Sequence, residues 1–399
     1  MNRIDKVKTN KAVQEALQLC RERVGPTLDL AIAVQQIPSP TFAEAERAAF
    51  VEKKLRELEL VDISQDAIHN VFARLPGRNS DRPIVLSAHS DTVFAYDTDL
   101  AVRYGNDQKP ASTFISGPGL ADNALGVAGL LELAGLLIDA KLRPARDIWF
   151  VANVCEEGLG DLRGMRSVVE RFGQTASYIV IEGGSFGHVF HKAIGVRRFR
   201  LTVKTPGGHS WGDYGSPSAI HVLGRIVERI DRLMLPEQPK TTLNVGVIEG
   251  GTTVNTIAAQ ASCLVDLRSM DPGMLQRLVG SVEEIVGASK TSSDVTVTMT
   301  QIGNRPAGAL STDLPLVAWA ADALRQVGCQ DVHFMAGSTD ANIPISMGVP
   351  SVCIGLANSG NTHRVDEFLD PTHLSQGLSQ LLLLTVAAAG LESDRSQEE

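Results

Sequence analysis

Residues 83–93 read PIVLSAHSDTV. Ile84, Val85 and Leu86 follow one another with no polar residue between them, the pattern of a strand covered on both faces. Comparable runs recur at DIWFVANV (147–154), YIVI (178–181) and PSVCIGL (350–356). Helical patterns stand around them: about 10–36, 42–60, a segment beginning near Asp122, 314–327 and a closing stretch from about 371, with a further strand at NVFARL (70–75) and another near VHFM. Strands alternating with helices predict an α/β domain, a mixed sheet flanked by helices. The run at 83–88 ends on a pair one residue apart, His89 and Asp91, which a strand would place on the same side.

The middle of the chain has a different texture. VRRFRLTVKT (196–205) alternates like a half-exposed strand, and a helix is expected over 216–234. Strands TTLNVGVIEG and TIAAQASCLVDLRS, a helix from Asp271 and the strand DVTVTMTQI (294–302) complete a β-α-β-β-α-β order, the ferredoxin-like pattern. The expected organisation is a discontinuous α/β domain, 1–194 with 308–399, interrupted by an α+β domain over 195–307. The polar tail after Leu391 reads as disordered.

Composition narrows the function classes. The chain has 399 residues, 43% hydrophobic and 21% charged, with a net charge of -9, values ordinary for a globular protein. No basic stripe marks a nucleic-acid surface. The N-terminus, MNRIDKVKTNKAVQEALQLC, lacks an apolar core of signal-peptide length, and no membrane-spanning run is expected. Five scattered cysteines, Cys20, Cys155, Cys263, Cys329 and Cys353, suit buried thiols in a reducing, cytoplasmic setting better than a disulfide framework. GPG and EGG lack the spacing of a nucleotide-binding loop.

The polar residues at the strand ends carry more. PIVLSA runs into His89, DIWFVANV into Glu156 and Glu157, YIVI into Glu182, and PSVCIGL leads to His363. Asp122 opens the helix after the polar loop. Ligands of α/β sheets gather at the carboxyl ends of the strands, so these distant residues are expected to converge. Histidines and carboxylates without thiolate fit zinc or a similar divalent ion at a catalytic site. With Asp122 as a bridge, His89 and Glu182 complete one site and Glu157 and His363 a second. A bridging hydroxide would then be the nucleophile. Asp91 is expected to bond the other ring nitrogen of His89, and Glu156 to act as general base. A binding protein with no chemistry to perform has no use for a base beside Glu157. His188 and His191 have no evident route to the cluster and read as structural.

In order, SAHSDTV, GPGLADNALGVAGLLEL, VANVCEEGLGDLRG, IEGG, TPGGHS, STDANIPISMGVP and GNTHRVDEF resemble the di-zinc exopeptidases and deacylases of metallopeptidase family 20 over roughly residues 20 to 390. That family includes tripeptidase T, glutamate carboxypeptidase, aminoacylase, acetylornithine deacetylase and succinyl-diaminopimelate desuccinylase. The resemblance implies two zinc ions per subunit, with cobalt or manganese as substitutes, on His89, Asp122, Glu157, Glu182 and His363. It also implies a cis peptide after Asp122, and an inserted domain that serves as dimerisation or lid domain of a homodimer. His209 matches a histidine that reaches the partner subunit's site to stabilise an oxyanion. Asn255, Arg268, Gly337, Ser338 and Thr339 match substrate-binding positions. His209 also has the bland reading of a hairpin end, and Arg268 that of a structural ion pair.

The reaction implied is hydrolysis of a terminal amide bond in a short peptide, with deacylation of an N-acyl amino acid as the alternative. STDANIPISMGVP and the NTH around His363 are similar to the tripeptidase branch. Glu182 points the other way, since family carboxypeptidases and deacylases tend to carry Glu there and aminopeptidases Asp.

Overall fold

The computed structural model describes residues 2–105, 114–290 and 292–392. The expected disordered tail lies, from residue 393, outside the described residues. The chain divides into two compact units, Met1–Lys192 with Ala309–Glu399, and Ala193–Gly308.

The first unit is built on a mixed sheet. Its centre is four parallel strands in the order Arg146–Asn153, Asn79–His89, Ser177–Glu182 and Ser351–Gly355. Antiparallel strands flank them, Val71–Leu75 and Val61–Gln65 on one side and His188–Ala193 on the other. From Pro83 to His89 every residue is buried or nearly so, because helices cover both faces. His89 pairs with Asn153, and Gly355 with Glu182, so the carboxyl ends of the four strands are level. That alignment brings residues from four segments to one edge.

Local structure departs from expectation in three places. The first helical pattern, about 10–36, is two helices, Lys11–Glu22 and Val24–Gln35, and a further helix, Arg3–Thr9, precedes it. The Asn10 side chain caps Lys11–Glu22 by accepting the N–H groups of Ala12 and Val13, which separates that helix from Arg3–Thr9. The helix expected to start near Asp122 is regular only over Leu125–Asp139. Before it, Leu120–Ala124 forms a wide turn in which Asp122 and Asn123 have non-helical backbones, joined by a cis peptide as the family resemblance implied. Finally, Leu120–Asp139 is long and apolar enough to cross a bilayer, which the sequence reading did not anticipate. Most of that segment is buried against the central strands, as befits a core helix.

The second unit has four antiparallel strands in the order Thr241–Gly250, Gln260–Ser269, Gly195–Lys204 and Thr296–Arg305. Buried and half-exposed residues alternate strictly from Ala261 to Ser269. Helices Ala219–Asp231 and Pro272–Ala288 cover the buried face, packing Val222, Ile226 and Val282 onto Leu201, Val265 and Leu267. The β-α-β-β-α-β order is therefore present.

Candidate metal centre

Asp122 is the hub of the site. Its Oδ1 stands 3.1 Å from Nε2 of His89, and its Oδ2 stands 3.1 Å from Nε2 of His363. Glu182 closes the first group, Oε2 lying 3.7 Å from the same His89 nitrogen. Glu157 closes the second, with Oε1 3.0 Å from Nε2 of His363. In each group of three the donor atoms all lie within 4.8 Å of one another. Donors about 2 Å from a tetrahedral ion stand about 3.3 Å apart, so both groups have the spacing a divalent ion needs. Glu156 forms a third such group with His89 and Glu157. The structure brings together all five expected ligands and the expected base.

The donor set is hard and borderline, with no sulfur. Cys155 adjoins Glu156 in sequence, but its thiol lies 3.3 Å from Oε1 of Glu44, and burial pushes its pKa up to about 12. Oxygen and imidazole donors in this number suit zinc, cobalt or manganese.

The carboxylates bear strongly on both histidines. Burial disfavours the charged form of His89, yet Asp122, Asp91 and Glu182 outweigh it and hold its pKa well above the ordinary 6.5. Hydrogen bonds to Asp122 and Glu157 raise His363 to about 10 despite partial burial. Burial, with Asp122 and Glu156 adding to it against His363, lifts Glu157 to about 7. Burial also raises Glu182. Asp122, facing both histidines, is held below the usual carboxylate range although burial opposes this. Protons on the histidines thus occupy the place that cations would take.

Asp91 sits where expected but makes different bonds. The Nδ1 of His89 lies 3.2 Å from the Asp91 backbone carbonyl, and the Asp91 carboxylate is no nearer than 3.5 Å. That carboxylate accepts the N–H groups of Glu156 and Glu157 at 2.9 and 3.0 Å and the Thr41 hydroxyl at 2.8 Å. In the neutral ring a proton on Nδ1 leaves the Nε2 lone pair free to bind an ion beside Asp122. One residue thereby fixes the tautomer of His89 and the backbone of both glutamates.

Several supporting residues escaped the sequence reading. The Asn123 amide donates to the Ile181 carbonyl at 2.9 Å and accepts the Gly183 N–H at 2.8 Å, tying the Asp122 turn to the strand end that carries Glu182. Buried Arg47 donates to the carbonyls of Ile37 and, at 2.8 Å, Ser90, bracing the chain between His89 and Asp91. Asp340, fully buried, accepts from Asn153 at 2.6 Å, and burial with the nearby Glu156 charge raises its pKa strongly. No local spacing signals any of these; apart from Ile37, ten residues before Arg47, their partners are 43 to 187 residues away.

The remaining candidates divide. Gly337 ends the strand His333–Gly337, Ser338 follows, and the Thr339 N–H donates to Asn342 at 3.0 Å beside buried Asp340. In the second unit, Gly208–His209 pairs with Thr256–Ile257, which sets Asn255 next to His209. The Nδ1 of His209 accepts the N–H groups of Trp211 and Gly212 at 3.2 and 3.3 Å, so a neutral ring carries its proton on Nε2 as a donor. Arg268 is held by Asp266, Nε to Oδ1 at 2.7 Å, and Asp266 also accepts from Arg198. Its geometry is that of the structural ion pair. The Nδ1–H of His191 donates to the Leu310 carbonyl at 2.6 Å, and His188 packs on Phe190; among the described residues neither falls in a group with the spacing of metal donors.

With this geometry in place, kinship is informative. The sequence model of peptidase family M20/M25/M40 matches residues 85–386. The chain belongs to that family. A probable carboxypeptidase of Arthroderma otae is 27% identical over 290 residues, 66% of this chain and 62% of that one. The chain thus matches less than two thirds of that relative's length. The crystal structure of a tripeptidase from Staphylococcus aureus superposes with a TM-score of 0.75 at 21% identity, covering 92% of this chain and 98% of the other. The Bacillus subtilis YXEP protein, described as a dinuclear metal-binding peptidase, gives a TM-score of 0.67 at 16% identity over 93% and 99% of the two chains. These likenesses establish the fold of an M20 peptidase.

Proposed function

We propose that the protein is a two-zinc exopeptidase that hydrolyses the terminal amide bond of short peptides. The observation that carries this reading is Asp122, whose two carboxylate oxygens face two different histidines at 3.1 Å each. A single ion needs no such bridge. Zinc is the natural occupant, with cobalt or manganese as substitutes. Bound there, the two ions would polarise the scissile carbonyl and acidify a water.

The chain's own groups perform the remaining steps. Glu156, whose backbone Asp91 fixes, takes a proton from the attacking water and returns it to the departing nitrogen as the C–N bond breaks. The water oxygen stays on the acyl carbon, so the products are a carboxylic acid and an amine. His209 donates from Nε2 to the developing oxyanion. It does so from the inserted unit of a partner subunit in a homodimer. The exposed edge strand Thr241–Gly250, with Val247 and Ile248 open to solvent, supports a role for that unit in association. Gly337, Ser338, Thr339 and Asn255 contact the substrate. Five unpaired cysteines suit a cytoplasmic setting.

Peptide chemistry rests on family membership. Cleavage at the carboxyl end is favoured by Glu182 and by the likeness to a probable carboxypeptidase, whereas the structural likeness to a tripeptidase favours the amino end. Deacylation of N-acyl amino acids is the alternative. A product-identified screen of tripeptides, dipeptides and N-acyl amino acids on zinc-loaded protein separates the three. Glu156→Gln should keep its metal and lose about 10²–10⁴-fold in turnover on the best substrate. Retained turnover would remove Glu156 as the base.

A further inference from the structure

Glu367 lies four residues beyond His363 and is fully buried. Its Oε1 accepts two successive backbone N–H groups, Ala121 at 2.8 Å and Asp122 at 3.0 Å. Its own carbonyl accepts the Gly117 N–H at 2.9 Å, and the next residues, Phe368 and Leu369, pair with Ser116 and Ile115. The other oxygen, Oε2, is buried with no hydrogen-bond partner among the described residues.

A merely structural link would not require an acid here. A carboxylate in this position loses its hydration and satisfies only one of its oxygens, which costs free energy that a neutral side chain would avoid. Burial and the Asp122 charge push the Glu367 carboxyl up to about 7, and in its ionised form it grips the two N–H groups that precede the Asp122 side chain more strongly than a neutral acceptor would. The segment that carries the grip also carries His363. Asp122 and His363 are far apart in sequence, yet Oδ2 and Nε2 must stand about as close as two donors on one ion, as they do at 3.1 Å. His89 and Glu182, by contrast, are held at the ends of their own strands.

Resting on the two-metal reading above, the geometry points to Glu367 as the positioning residue that sets Asp122 and His363 as a unit and thereby secures the ion shared by Asp122, Glu157 and His363. Residues that orient metal ligands from behind typically contribute about 10–100-fold to metal affinity. The loss on removing Glu367 falls on the second ion to bind, and much less on the ion held by His89 and Glu182.

The test uses the full metal-free chain, titrated with Co(II) and followed by calorimetry and by the visible d–d absorption, with kcat and KM measured alongside. Wild type takes up two equivalents. Glu367→Ala should bind the first normally and the second about 10–100-fold more weakly, with altered bands in the second step. Glu367→Gln keeps an oxygen acceptor and should lose about three- to tenfold on that step only. Unchanged second-step affinity in both variants overturns the inference. So does equal weakening of both steps in proportion to lost thermal stability. Should Glu367→Ala fail to fold, Glu367→Gln decides by the same second-step criterion. Wild type without a second equivalent would overturn the two-metal reading itself, and this inference with it.

Discussion

His363 shows what the site demands before any ion enters. Facing Asp122 and Glu157, its imidazolium is stabilised until about pH 10, against an ordinary 6.5. A raised pKa means that the fold binds the proton more tightly than the unfolded chain does. The resulting stability is complete below about pH 6.5 and is lost as pH rises through 10. Glu157, raised from 4.5 to about 7, acts in the same direction over a lower window. Metal-free protein should therefore lose thermal stability steadily from about pH 6 to pH 10, while the zinc-loaded form does not follow, because ligating histidines are neutral. Scans of both forms across that range check it. A metal-free Tm that is flat over the window would contradict the assignment of these groups.

Gly126 illustrates how an element is fitted to the site. A Cβ there would stand 2.0 Å from Oδ1 of Asn123, the atom that receives the Gly183 N–H. Gly126→Ala must push the Asn123 bridge aside and loosen the Asp122 turn from the strand bearing Glu182. We expect a loss of about 1–3 kcal/mol in chemical denaturation and weaker metal binding in the same variant. Unchanged stability and metal affinity would show that the turn does not depend on the bridge. The same turn marks a limit of sequence reading. Its apolar neighbours have helical periodicity, so the pattern extends the helix back to Asp122. The non-helical backbone at Asp122 and Asn123 instead accompanies bonds to Ile181 and Gly183, residues no local window contains. At the start of the chain the expected pattern began at the Asn10 cap but ran on past Arg23, where one helix ends and the next begins.

Across the whole molecule, what could be read early was whatever a sheet imposes by itself. Apolar runs covered on both faces gave parallel strands, and parallel strands put His89, Glu156, Glu157 and Glu182 at one edge without further information. The residues that hold those side chains were not legible, because Asn153 with Asp340 and Glu367 with Ala121 are pairs formed only by the finished fold. Ligand type follows from chemistry, whereas ligand support follows from tertiary contacts. The homodimer belongs to this scale as well. If His209 serves the partner's site, mixed dimers of His209→Ala and Glu156→Gln subunits should recover part of the wild-type activity through one intact composite site; verified mixed dimers without activity would argue against exchange.

The bridging role of Asp122 is tested most directly by counting ions. Metal-free protein titrated with zinc, with calorimetry and elemental analysis on the same sample, should take up two ions per chain, and Asp122→Ala should bind both far more weakly. A wild-type chain that saturates at one ion or none, or an Asp122→Ala chain that still holds two tightly, would contradict the account.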